Sequence, residues 1–340
     1  MKILNQQIFE NREAAALPGL MESGGLPALV SGLSGIHRVN LAAALYERLE
    51  LPLLIVCPDD SSAESFSRDL EAMTGEKVNT LYSRDFTFYS SLAASREAEQ
   101  KRLYVLNALR CGESPLTVAT VSALMQRTIP PQTLIKAAFT VKDGEACPPE
   151  ELERALVRCG YTRCEQVEGA GQFSRRGGIV DFFSPSYPEP VRIEFWGDDI
   201  DSMGFFDVKT QRRTESVEAC RILPAAESLA TLATGGTEAL TEALTAAADK
   251  CSRHKSSQQL RELEQTLRTD IERLRQSVKL EYADRYMPFL YEKASGADYI
   301  PEEAVILLDQ PPRCADRAKG FAKQLGDDLS ELVKGGMVAT

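Results

Sequence analysis

The pattern of apolar and polar positions changes character twice along the chain. Between residues 28 and 121, short apolar runs alternate with segments of helical period. Residues 28–30, 51–57, 78–82 and 116–121 read as strands, and the runs 51–57 and 116–121 are continuous enough to be buried on both faces. Residues 39–49, 63–73 and 95–111 read as helices, with Pro58-Asp59-Asp60-Ser61 as a capping cluster before the second. Strand alternating with helix predicts a parallel sheet covered by helices.

The paired prolines Pro130-Pro131 mark the first change. A helix over 148–159, opened by Pro148-Pro149-Glu150-Glu151 and stopped by Gly160, leads into strands of period two. Residues 179–183 and 191–196 are β-rich runs, and Gly197-Asp198-Asp199 is a hairpin turn leading toward Ile200, Met203 and Phe205. In the second run Val191, Ile193 and Phe195 alternate with Arg192, Glu194 and Trp196, so one face is core and the other exposed. Arg175 and Arg176 stand at the sheet entrance. The second change follows Leu223-Pro224: a weakly patterned Ala/Thr/Gly-rich zone over 227–250 precedes a stripe at Leu260, Leu263, Leu267, Ile271, Leu274 and Val278. An aromatic cluster at 282–291 reads as packing, because acids are mixed with the few cations near it. Residues 304–309 read as one more buried strand, followed by a helix over 313–333. That strand can return to the first sheet. The expected fold is therefore α/β: a parallel-sheet domain in two parts, 1–128 and 214–340, with an α+β insert over 129–213.

Charge and composition narrow the function classes. The chain has 340 residues and a net charge of −11, which argues against a nucleic-acid surface as its main business. Eight cysteines include no CxxC pair, and the two histidines, His37 and His254, are not clustered with them, so a metal site is not expected. No apolar run is long enough to span a membrane, and acidic residues stand where a signal peptide needs an apolar stretch. A cytoplasmic protein is expected.

Two places would carry nucleotide chemistry in such a fold. The first loop reads Ser31-Gly32-Leu33-Ser34-Gly35-Ile36-His37-Arg38. A phosphate loop needs a Lys for the outer phosphates and a hydroxyl for Mg²⁺ after its glycines, and Gly32 and Gly35 have neither. The last strand ends in Asp309-Gln310-Pro311-Pro312, an acid without the glutamate of an ATPase. The loop reads as a glycine turn, with no cofactor expected.

The run Gln172-Phe173-Ser174-Arg175-Arg176-Gly177-Gly178-Ile179-Val180-Asp181-Phe182-Phe183 resembles a signature of bacterial excision repair protein UvrB and of transcription-repair coupling factors (Mfd). The likeness continues through 191–202 and into Phe206-Asp207-Val208-Lys209-Thr210-Gln211-Arg212-Arg213, which favours the coupling factors. Ser122-Ala123-Leu124-Met125-Gln126-Arg127 and Tyr286-Met287-Pro288-Phe289-Leu290-Tyr291 are further pieces. The resemblance implies a UvrB-homology module, N-terminal in that family: a split, degenerate P-loop, RecA-like domain with an insert that binds UvrA. It also implies that Ser83-Arg84-Asp85-Phe86-Thr87-Phe88-Tyr89 leaves no room for the DNA-clamping hairpin of UvrB. Carried over position by position, the UvrA-facing residues are Phe173, Arg176, Arg192 and Glu194, with Arg163 weaker; Ser174 stands where UvrB has an arginine. The implied role is a non-catalytic adaptor whose docking face is masked by another domain. The motor and the polymerase-binding domain, with their ATP, Mg and DNA, lie beyond this chain in that family, so the chain reads as a fragment. A UvrB-like ATP-dependent helicase is the alternative.

Overall fold

The computed structural model describes residues 7–85, 96–253 and 257–338. His254, the start of the helix expected at residue 95, and the segment from Phe86 to Tyr89 lie outside the described residues. The strands in chain order begin with β1 (Leu53–Cys57), β2 (Asn79–Leu81), β3 (Leu116–Thr120), β4 (Phe139–Lys142), β5 (Thr162–Arg163) and β6 (Gln172–Arg176). They continue with β7 (Ile179–Phe182), β8 (Val191–Trp196), β9 (Asp199–Phe206), β10 (Arg213–Ser216), β11 (Ala219–Ile222) and β12 (Val305–Leu308). The chain divides into two compact units: residues 1–83, 108–126 and 299–323 form one, and 84–107, 127–298 and 324–340 the other.

The first unit holds the parallel sheet, ordered β12-β1-β3-β2. Leu-Leu-Ile-Val-Cys of β1 is buried at every position, as a central parallel strand requires. The helices Gly35–Leu49 and Asp60–Thr74 supply Val39, Ala42, Ala43, Ala63, Phe66 and Leu70 to the core against Leu53, Ile55, Leu116 and Val118. Asp59 Oδ1 accepts from Ser62 N at 2.9 Å and caps the second helix, and Gly75, at φ 75°, closes it in a conformation that suits glycine. Two expectations fail here. Residues 28–30 form no strand and are exposed: three apolar residues, with Pro27 before them, are too few to pair and bury. The strand 305–308 returns to the sheet as expected, but as an edge: Val305 and Leu307 pack inward while Ile306 and Leu308 are exposed. With one neighbour only, its outer face lacks the cover that the apolar run anticipated.

The second unit holds a six-stranded sheet, ordered β10-β9-β8-β7-β6-β5 and antiparallel except for β5–β6, together with the β4–β11 pair. Its core joins Leu152 and Leu156 of the helix Pro149–Arg158 to Phe173, Val180, Phe182, Val191, Ile193 and Met203 of the sheet. The third strand of the expected sheet is present but shifts phase. Register slips between Glu194 and Phe195 because β9 carries one extra residue, so Ile200, Met203 and Phe205 all face the core, Phe205 half-buried, while Phe206 is buried on the opposite side under Arg192. The expected boundary at 213 falls on the first residue of β10, and residues 214–298 belong to the compact unit of the insert rather than to that of the parallel sheet. The Ala/Thr/Gly-rich zone forms the helix Gly236–Ser252, burying Leu240, Leu244, Ala247, Ala248 and Cys251. It packs on the helix Gln258–Arg275, whose Leu263, Leu267, Ile271 and Leu274 are the expected stripe, while Val278 is exposed.

This unit also buries charge. Arg84 donates through Nε to Glu227 Oε1 at 3.0 Å and through both Nη atoms to Asp284 at 2.8 and 2.9 Å. Arg102 Nε lies 3.2 Å from the same Glu227 oxygen, Thr128 Oγ1 donates to Glu227 Oε2, and Ser228 Oγ donates to Asp284 at 2.6 Å. Removing one partner of such a cluster leaves an uncompensated buried charge. Arg84→Ala is expected to cost about 3–5 kcal/mol, read as a fall in the urea midpoint.

The eight cysteines are thiols, of which Cys111 is exposed and Cys57, Cys159, Cys220, Cys251 and Cys314 are buried. Burial pushes Cys57 and Cys220 up to about 12 and Cys159 up to about 11. The thiolate is the reactive form, so these three should stay silent toward a thiol reagent at pH 8 until the chain unfolds. Cys111 should give the fast phase, and Cys111→Ser should remove it.

Candidate functional site

The six-stranded sheet has two unlike faces. Phe173, Val180, Phe182, Val191 and Ile193 point into the core. On the other face the register sets Ser174 beside Asp181 and Arg192 in one row, and Arg176 beside Ile179, Glu194 and Ser202 in the next.

Asp181 organises this face. It sits in an apolar run on a central strand and is 1% exposed, so its charge requires partners. Arg192 meets it with two parallel bonds, Nε to Oδ1 at 2.7 Å and Nη2 to Oδ2 at 2.8 Å. Arg176 Nη2 adds a third, to Oδ2 at 3.0 Å. The Arg192 guanidinium also lies over the Phe206 ring, 4.6 Å from its centroid, and donates to Gln211 O and Oε1 at 3.3 Å each. Hydrogen bonding to Asp181 raises its pKa further above an already high value, so Arg192 is a cation at every working pH.

Gln211 is held for this contact. Asp207 Oδ1 accepts from Thr210 N at 2.7 Å, Gln211 N donates to Asp207 O at 2.8 Å, and Gln211 Nε2 donates to Val208 O at 2.8 Å. The turn puts Gln211 in the left-handed region at φ 59°. Arg176 and Arg192 differ in what they offer: their side chains are 55% and 18% exposed. Arg176 presents a guanidinium to solvent, whereas Arg192 presents one edge.

The five residues expected to face a partner thus fall into groups. Arg176, Arg192 and Glu194 lie together on the outer face. Phe173 does not: it is fully buried opposite Phe182, and its ring is a core side chain with no surface to give. Arg163 is paired in register with Phe173, at the far edge of the sheet and on the side of the helix Pro149–Arg158. There it donates to Glu153 at 2.6 Å, next to Arg175, which bonds Glu153 and Glu150. Ser174 is buried beside Asp181, and its Oγ makes no hydrogen bond among the described residues. Asp181, Phe206 and Gln211 were not singled out from sequence, although an acid inside the run Ile-Val-Asp-Phe-Phe is itself a signal that a cation must be near.

The degenerate nucleotide loop lies in the first unit. Gly32, at φ 82°, makes the turn, and Gly35 opens the helix Gly35–Leu49. Ser34 Oγ is occupied by His37 Nδ1 at 3.0 Å. Arg38 Nη1 lies 2.9 Å from Oδ1 of Asp309, the buried acid after β12. The cation at the helix start is therefore paired with the acid at the end of the last strand. Among the described residues no group of three or more His, Cys, Asp or Glu is placed to hold a metal ion, and no helix is long and apolar enough to cross a membrane.

Comparison with known proteins gives one family model and several relatives. Residues 139–227 match the UvrB interaction domain, a span that holds the outer face and the turn that supports it. Over 334 residues the chain is 29% identical to the transcription-repair-coupling factor of Bacillus subtilis, covering 97% of this chain and 28% of that protein. It is 31% identical over 294 residues to the Myxococcus xanthus factor, covering 82% of this chain and 24% of that one. For the Escherichia coli factor the identity is 30% over 203 residues, covering 60% and 18%. The chain thus spans about a quarter of the length of the first two relatives. It carries a UvrB interaction domain and, in its other compact unit, a RecA-like parallel sheet. It belongs with the UvrB-homology modules of the transcription-repair coupling factors.

If Asp181 sets the face, shortening it should be felt locally. Asp181→Ala removes three charged hydrogen bonds, leaving Arg192 held only by Gln211 and Phe206. A loss of roughly 1.5–3 kcal/mol in urea unfolding is expected.

Proposed function

We propose that residues 139–227 dock UvrA through the outer face of the six-stranded sheet, and that the chain serves as a non-catalytic adaptor in transcription-repair coupling. The observation that carries the reading is the pair Arg176 and Arg192, held in place by one buried acid on a face that the sheet does not need for its own core. Prepositioned arginines lose little freedom on binding and are frequent anchors of interfaces. In this reading UvrA is brought to a stalled RNA polymerase by a longer protein. Its polymerase-binding and DNA-translocating domains lie elsewhere, and ATP and Mg act only at that motor. The face is covered by another domain of the same protein until the motor engages.

The Arg38–Asp309 pair supports the non-catalytic part. A UvrB-like helicase would need a lysine and a free acid at those places, and nucleotide hydrolysis by this chain alone would overturn that part of the reading.

Charge reversal at the two arginines tests the docking. Arg176→Glu should abolish capture of the chain by UvrA, with the thermal midpoint shifted by about 2 °C or less, since Arg176 is a surface side chain. Arg192→Glu would set a second carboxylate against Asp181 and unfold the chain early, so Arg192→Gln is the companion variant. Undiminished capture of a chain carrying both Arg176→Glu and Arg192→Gln would sink the assignment.

A further inference from the structure

The outer face does not stop at Glu194. Two residues on, at the end of β8, stands Trp196, the only tryptophan of the chain, and it is 82% exposed. The register slip of this hairpin lies on β9, so β8 keeps its alternation: Phe195 packs toward the core, and Arg192, Glu194 and Trp196 share the outer side.

The backbone beneath Trp196 is pinned. Asp199 opposite it bridges to Ala146, Cys147 N donates to Asp198 O at 2.8 Å, and Gly144 N and Ile200 N bond Ile200 O and Glu145 O at 3.0 Å each. Gly197 makes the turn at φ 65°, where a side chain would be strained. An indole standing on a fixed hairpin end, in line with two prepositioned arginines, differs from the scattered apolar residues of any surface. It offers a large contact area for little lost freedom.

The surroundings of Trp196 describe its counterpart. Asp198, Asp199 and Asp201 are exposed around the turn, and Glu194 is half-buried beside them. An acidic rim about an aromatic calls for an apolar recess edged by lysines or arginines. We infer that Trp196 is the aromatic anchor of the docking face and enters such a basic-rimmed recess on UvrA, an inference that rests on the docking reading above.

A single tryptophan makes the test direct. The chain labelled with 5-fluorotryptophan gives one ¹⁹F resonance, followed while unlabelled UvrA is added. Binding titrations of Trp196→Ala, Trp196→Phe and Arg176→Glu run beside it. The resonance should shift or broaden on binding. Trp196→Ala should weaken UvrA binding about tenfold or more at an unchanged thermal midpoint, while Trp196→Phe keeps most of the affinity. If UvrA binds the parent chain and is lost with Arg176→Glu, but the resonance stays put and Trp196→Ala binds as the parent does, the anchor is wrong and the docking reading stands. If UvrA does not bind the parent chain, both fall.

Discussion

Glu227 has no contact with water, and two guanidiniums, Arg84 and Arg102, are placed against it. Arg84 reaches on to Asp284, which Ser228 also holds, while Thr128 bonds the other Glu227 oxygen. Positions far apart in the chain are thus tied at one point, and none of them can leave without stranding a charge in a dry place. Arg84 and Arg102 come from one stretch of the second unit, residues 84–107, and Thr128, Glu227, Ser228 and Asp284 from another, 127–298, so the cluster bears on how these two stretches meet. A buried polar cluster tolerates few arrangements, since each must leave every charge paired. It is this demand, more than added stability, that a buried cluster of this kind places on the fold.

The same constraint recurs on the sheet at smaller scale, and there it works outward. Asp181 is sealed by its neighbours in the strand, so its partners must come to it, and they come from the exposed side. Arg192 is fixed by the carboxylate, the Phe206 ring and Gln211 together, and Arg176 by a single bond that leaves its guanidinium mostly in water. One arginine is a rigid edge and the other a reachable head. The face is ordered by an interaction that lies under it.

Much of this was legible in the residues. The continuous apolar runs of β1 and β3, the period-two alternation of β8 and the stripe of the helix Gln258–Arg275 each state which side is buried, because backbone geometry allows one answer. What was lost depended on partners that a local window does not contain. Ile306 and Leu308 read as core because periodicity does not say how many neighbours a strand has. The helix Gly236–Ser252 was missed because alanines fill positions that leucine would have marked. Phe173 was assigned to the surface by likeness, although its alternation with Ser174, and its pairing with Phe182, places it inward. Asp181 announced a need for a cation, but which arginines answer it follows only from register.

The pairing of Arg38 with Asp309 bears on how this chain can change over time. The two charges make each position depend on the other. Here replacing Arg38 leaves a buried carboxylate without its cation, and replacing Asp309 leaves a half-buried guanidinium without its anion. Change at either position is therefore cheapest when both change together. Two positions far apart in the chain are thereby expected to vary as a pair.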